Sequence, residues 1–481
     1  MQLRPIISLI GQVTTILGIS MLLPAMVDFI AGNDEWQTFV ISSLITTLCG
    51  TGLWAANSGG SHVLNLKQAF LLTFLIWVVL TIFGALPFIW IENGLSITDA
   101  IFESMSGITT TGATIMTNLD GSAPGILLWR SLLQWFGGLG IVVMAIAVLP
   151  TLQVGGMQMF RAEAFETPDK ILPQAAQIAS GMTAIYVLLT LASTGAYWAF
   201  GMNLFEAVSH AMTTVATGGF STRDGGFTEF NSTALDYIAI IFMILGALPF
   251  ALYLAAVQYG RWKKIFQDSQ VRVFLGIVLI VTFAMMWLQI SKEEYFGEEA
   301  FRHALFSVTS IITGTGYATI DYSAWGPFAM TTFFIITFIG GCTGSTSCGI
   351  KVFRFQVLAR DLYQHVRQIL YPNLVYVKRY NGRPLPDSIS SSVQSFVFLY
   401  FLSFIVLAIA LSLTGLDATT ALSGAATAIS NVGPGLGEII GPAGNFSSLP
   451  DISKWLLVAG MLIGRLEILI VLVLFTPRFW R

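Results

Sequence analysis

Ile108-Thr109-Thr110-Thr111-Gly112-Ala113-Thr114 follows a short semi-apolar segment, Asp99–Ile108, and precedes an apolar run that begins at Pro124. The same order returns three times. Val215-Ala216-Thr217-Gly218-Gly219-Phe220 follows Phe205–Val215, Thr313-Gly314-Thr315-Gly316-Tyr317-Ala318 follows His303–Ile312, and Ser430-Asn431-Val432-Gly433-Pro434-Gly435 follows Ala418–Ile429. Aligned on Gly112, Gly218, Gly316 and Gly433, the preceding position reads Thr111, Thr217, Thr315 and Val432, and Phe102, Val208, Phe306 and Ser423 stand at one common distance upstream. The lead-in segments are too short to cross a ~30 Å hydrocarbon core, so they read as re-entrant half-helices. A single Gly/Thr turn is an ordinary surface loop. Four in one frame are a repeat.

Uncharged apolar runs supply the frame. Pro5–Val27, Trp36–Ser58, Gln68–Ile91, Gln174–Met202, Tyr237–Tyr259, Val273–Ile290, Trp325–Ile350 and Ser388–Leu416 hold no Asp, Glu, Lys or Arg, and Pro124–Pro150 and Ile452–Thr476 carry isolated charges. These ten runs are the expected membrane spans, since soluble helices keep a polar stripe. Composition agrees: 10% of residues are charged and mean hydropathy is +0.75, against roughly 25% charged residues in soluble domains. The expected class is an all-α polytopic membrane protein. Two N-terminal spans (1–62) precede four helix–re-entrant loop–helix units (63–160, 161–264, 265–384 and 385–481) around a central pore.

No cleavable signal peptide is expected, because the first apolar run is long and lacks a small-residue cleavage site. Cys49, Cys342 and Cys348 form no CxxC pair, which speaks against a zinc site or a disulfide framework. His62, His210, His303 and His365 show no metal spacing. Placing both termini inside puts most of the 23 basic residues in the cytoplasm, including Lys67, Arg161, Lys170, Arg261, Lys263, Lys264, Arg272 and the cluster from Lys351 to Arg383. That is the positive-inside bias. Most of the 26 acidic residues fall outside, among them Asp99, Asp120, Glu206, Asp224, Asp321, Asp417 and Glu438, where a negative vestibule concentrates cations.

Irregular backbone at membrane depth is tolerated only inside protein or along a water-filled path. Four such turns about one axis can aim carbonyl oxygens inward and replace a cation's hydration shell. Glycine permits the backbone angles required, and each half-helix directs its partially negative C-terminus at the membrane centre. The candidate filter is therefore Thr110, Thr111, Gly112, Ala216, Thr217, Gly218, Gly314, Thr315, Gly316, Asn431, Val432 and Gly433, with a cation as its ligand.

The second span of the third repeat holds Gly340-Gly341-Cys342-Thr343-Gly344-Ser345-Thr346-Ser347-Cys348-Gly349. Four glycines and four hydroxyl residues in ten positions are poor helix formers, and a run this long exceeds a packing motif, which needs small residues on one face only. A flexible loop beneath the filter is expected there, acting as a gate. Arg465 sits midway along the last apolar run; an intramembrane charge needs a cavity or a partner. The pore-facing reading makes it a barrier to cations, and the bland one gives it a carbonyl or acid in a neighbouring span. Glu467, two positions on, is expected to point away from it. The basic connector Lys351–Arg383 suits either a partner that pulls on the loop or anionic membrane lipid.

With these motifs in view, the chain resembles the Trk/Ktr/HKT superfamily of potassium transporters, and within it the bacterial Trk-type pore subunits. The match rests on Thr109–Thr114, Ala216–Thr222, Thr313–Tyr317, Asn431–Gly437 and Gly340–Lys351 and covers nearly the whole chain. Two N-terminal spans before the repeats resemble the Trk branch. The resemblance implies four joined units around one pore, a homodimer, a bacterial inner-membrane location, and a cytosolic nucleotide-binding regulatory ring (TrkA-like) that controls opening. In plant relatives serine at the first filter glycine favours sodium; Gly112 here implies K+, with Rb+ as surrogate. The fourth turn carries Asn431 and Val432 in place of a Thr pair, so the symmetry is approximate. The resemblance includes no organic cofactor and no nucleic-acid partner. The competing class is an ion-coupled carrier of a small organic solute with broken helices at the midplane. Carriers break spans in matched pairs, whereas the turn here occurs four times. No HExxH, paired intramembrane carboxylates or Ser/His/Asp set appears, so no enzyme is expected.

Overall fold

The computed structural model describes residues 3–59, 64–92, 94–147, 171–373 and 377–480. The connector bearing Arg161 and Lys170, His62, and the unit boundaries at 62 and 160 lie outside the described residues. The described residues are helical nearly throughout, with one two-stranded ribbon among them pairing Arg379 with Pro384 and Tyr380 with Arg383. Among the described residues, seven helices are long and apolar enough to cross a membrane: Arg4–Ala31, Trp36–Asn57, Leu66–Trp90, Pro124–Met144, Gln177–Ala199, Ser269–Ser291 and Asp387–Leu413. Thr233–Ala247 and Phe250–Tyr259, bent by 88°, make an eighth if counted as one span.

The other two runs are interrupted, and so is the bent pair. All three are second helices of a repeat. Pro249 has no N–H to continue the helix begun at Thr233, and the chain turns there. The third repeat's helix stops at Thr337, ahead of the glycine-rich loop. The last span ends at Arg465 and resumes at Leu469, with Glu467 and Ile468 at φ +59° and +27°. Arg465 is thus midway along the span, as expected, but at a helix end where the span breaks. Among the described residues, only the first repeat's second helix, Pro124–Ala147, is unbroken.

The short helices span Ile97–Ile108, Leu204–Val215, Gly297–Thr313 and Ala418–Ser430. The third is longer than its expected core. Three begin with a side chain that accepts a backbone N–H of the first turn: Ser96 from Asp99, Asn203 from Glu206 and Asp417 from Thr420. Such caps satisfy donors that a helix start leaves free. Asn203→Ala is expected to cost about 1 kcal/mol, read as a lower melting temperature of purified protein in detergent. The N-terminal hairpin closes through small residues: a Cβ on Gly50 would lie 2.6 Å from the Thr15 nitrogen. Fully buried Asp28 then anchors it, accepting the Gly125 N–H at 2.6 Å.

Candidate functional site

Each short helix unwinds into its turn in the same way. The N–H groups of Thr110, Thr217, Gly314 and Asn431 reach back three residues, to the carbonyls of Gly107, Thr214, Ile311 and Ala428. The next N–H groups, of Thr111, Gly218, Thr315 and Val432, reach back five, to Ser106, Thr213, Ser310 and Thr427. Left-handed backbone recurs at the same two places: Thr110, Thr217, Gly314 and Asn431 at φ +51° to +77°, then Gly112, Gly219, Gly316 and Gly433 at +80° to +104°. The gapless alignment of Gly218 with Gly112 is therefore one residue out. Gly219 is the true counterpart, and Gly218 stands level with Thr111, Thr315 and Val432.

The four glycines close a ring. A Cβ built on Gly112 would overlap the carbonyl oxygen of Gly218, one on Gly219 that of Thr315, and one on Gly316 that of Val432. On Gly433 it would lie 2.8 Å from the oxygen of Thr111. Each repeat thus abuts the next, and the fourth returns to the first. Left-handed φ and these approaches both demand glycine. Thr110, Thr111, Ala216, Thr217, Thr315, Asn431 and Val432 are buried around the same ring.

The downstream ends of the turns border a cavity of about 810 Å³ lined by Gly112–Thr114, Gly219–Ser221, Gly316–Thr319 and Pro434. Asp224, Glu229, Glu294 and Asp321 also reach it. Arg223 at its wall is bound to Glu206 at 2.6 Å, and that hydrogen bond raises its guanidinium pKa. Buried groups hold the ring from behind. Arg130 Nε donates to Glu103 at 2.8 Å, its Nη1 to the Ser221 carbonyl at 2.8 Å and its Nη2 to Thr114 Oγ1 at 3.0 Å. Glu103 also accepts the Ile115 N–H at 2.8 Å. A fully buried charge is tolerated only when paired and hydrogen-bonded this completely. Asn431 Nδ2 donates to Thr111 Oγ1 at 2.9 Å, tying the fourth turn to the first. Sequence reasoning missed Glu103 and Arg130, although two charges at membrane depth were a signal.

Residues Gly340–Gly349 lie at the opposite, upstream ends of the turns. Gly340 N–H and Ile350 O (3.0 Å), with Ile350 N–H and Phe338 O (3.0 Å), pinch the loop at its neck. Its tip occupies carbonyls freed by the break at Pro249: Cys342 N–H donates to Ala247 at 3.0 Å and Thr346 N–H to Gly246 at 3.2 Å. In return Phe250 N–H donates to Gly344 O at 2.9 Å. Thr346 Oγ1 reaches the Val215 carbonyl at 3.0 Å, Thr217 Oγ1 lies 3.3 Å from it, and Cys348 Sγ sits 3.8 Å from Thr110 Oγ1. Thr343 N–H is held by Gln270 at 3.0 Å and Ser345 Oγ by the Cys342 carbonyl at 2.6 Å. Ser347 Oγ accepts from Gly341 N–H at 2.8 Å. Arg465 closes the fourth side: it contacts Cys348 Sγ, and its Nη2 donates to the Gly137 carbonyl at 3.0 Å.

Glu467 points away from Arg465 as expected, but from beyond the helix end and not along the same helix. Because the helix ends at Arg465, Glu467 swings out to pair with buried Arg354, just beyond the loop. The basic connector is correspondingly less free than its sequence suggests. Lys351 donates to the Ser347 carbonyl, and Lys378 binds Asp361 at 2.9 Å and Asp387 at 2.8 Å.

A family model described as TrkH, cation transport protein, matches residues 35–481. The Trk system potassium uptake protein TrkI of Halomonas elongata is 45% identical over 99% of this chain and 97% of its own length. The Trk system potassium uptake protein TrkH of Vibrio parahaemolyticus is 38% identical, and that of Escherichia coli K12 37%, each over the full length of both chains. The crystal structure of the potassium transporter TrkH from Vibrio parahaemolyticus superposes with a TM-score of 0.92 at 36% identity, covering both chains completely.

Proposed function

The chain belongs to the TrkH cation transport family, and from that premise we propose that it carries K+ into the cell through the ring of four turns. The observation that supports this most is the cyclic abutment of Gly112, Gly219, Gly316 and Gly433 on carbonyls of the next repeat. Twelve residues form the filter, Thr110 to Gly112, Thr217 to Gly219, Gly314 to Gly316 and Asn431 to Gly433. Ala216, at the end of the second short helix, supports them. A dehydrated cation is held here by peptide oxygens at the negative ends of four half-helices. The acid-bearing cavity is the outer mouth, where negative charge raises the local cation concentration.

The loop Gly340–Gly349 and Arg465 shut the path below the ring. A cytosolic nucleotide-binding subunit opens it by moving Val352–Leu370, the helix that leaves the loop's neck and exposes Leu362, Tyr363, Val366 and Ile369. The protein sits in the bacterial inner membrane as a homodimer with both termini cytoplasmic. Purified protein in lipid vesicles is expected to take up Rb+ down its gradient with no organic solute present. Uptake that required an amino acid or sugar would replace this reading with the carrier.

A further inference from the structure

Resting on the filter reading, we propose that the side-chain amide of Gln134 stands in for the side chain that Gly218 lacks, and thereby fixes one quarter of the ring's selectivity. At this level the other three turns carry Thr111, Thr315 and Val432, whose β-branched side chains are stiff. Gly218 is not in the left-handed region, so its backbone does not call for glycine. Its neighbour does. A Cβ on Gly218 would fall on the Gln134 amide, which is fully buried and comes from the first repeat's unbroken span.

That amide grips the second turn on both sides of Gly219. Gln134 Nε2 donates to the Gly218 carbonyl at 2.6 Å, and Gln134 Oε1 accepts the Phe220 N–H at 3.0 Å. Of the four level carbonyls, those of Thr111, Gly218, Thr315 and Val432, only Gly218's accepts a hydrogen bond among the described residues. A carbonyl has two lone pairs, so one remains for an ion. The span register sets the first repeat apart from the second and the fourth. Gly137, Gly246 and Gly464 each back onto the carbonyl at the end of their own short helix, Ile108, Val215 and Ile429. Three residues before these glycines stand Gln134, Met243 and Met461. Methionine has no amide to give, and a turn with its own branched side chain does not need one. Gln134 is a positioning residue: it holds the carbonyl that meets the ion.

The test is Rb+ against Na+ uptake in vesicles. Gln134→Ala is expected to lower the Rb+/Na+ ratio about fivefold, the worth of roughly one net amide hydrogen bond. Gln134→Met keeps the bulk without the amide and gives the same loss, which guards against a misfolded alanine variant. The double variant Gln134→Ala/Gly218→Thr, which puts a branched side chain into the vacated space, recovers most of the ratio. An unchanged ratio in a folded single variant, or a double variant no better than Gln134→Ala, overturns the proposal. If Gly112→Ser alters the ratio and the Gln134 variants do not, this inference fails and the filter reading stands.

Discussion

Vesicles carrying the chain without Gly341–Thr346 are expected to take up Rb+ on the order of a hundredfold faster than the intact protein, measured without any regulatory partner. The loop's closed position rests on at least three backbone hydrogen bonds to the bent second-repeat span, from Cys342, from Thr346 and to Gly344. Each contributes about 1 kcal/mol net, and every 1.4 kcal/mol is about tenfold in a population. The deletion is sterically modest, because a Cβ on Gly341 would already lie 2.9 Å from that of Ser347. The neck bonds at Gly340 and Ile350 survive it. Arg465→Ala should move flux in the same direction by less, since it removes one guanidinium from the path and leaves the loop in place. Unaltered or lower uptake by a monodisperse deletion protein would detach this loop from gating.

Most of the architecture could be read from periodicity, because spans and half-helices are set by apolar length and by what lipid forbids. The breaks were harder. Pro249 was visible in Tyr237–Tyr259, yet proline is tolerated in membrane helices when another segment takes up the freed carbonyls, and that segment is the distant loop at Cys342–Thr346. Glu467 looked like a helix residue two steps from Arg465; what turns it is a buried Arg354 far away in sequence. The misaligned second turn has a different cause. Thr217-Gly218 copies Thr111-Gly112 and Thr315-Gly316, so identity favoured Gly218, while conformation favoured Gly219. The requirement for φ near +80° belongs to the backbone, and two adjacent glycines conceal which of them meets it.

That shift makes the second large prediction sharp. Gly112→Ser and Gly219→Ser are each expected to lower the Rb+/Na+ uptake ratio at least about tenfold, since a side chain at left-handed φ alone costs about 1–2 kcal/mol. Both residues have φ above +80°, and at both a Cβ would overlap the neighbouring repeat's carbonyl. That oxygen must shift, and it belongs to the ring that would meet the ion. The two substitutions disturb different oxygens, of Gly218 and of Thr315, so their agreement would come from shared geometry and not from one shared contact. Gly316→Ser presses on Val432 and should follow them. Gly433→Ser has slightly more room, 2.8 Å to Thr111, and should be the mildest of the four. If Gly219→Ser leaves the ratio unchanged while Gly112→Ser lowers it, the Thr315 oxygen of the third turn does not face the ion. The carbonyls of only three repeats would then do the selecting, and the cyclic abutment would be a feature of packing.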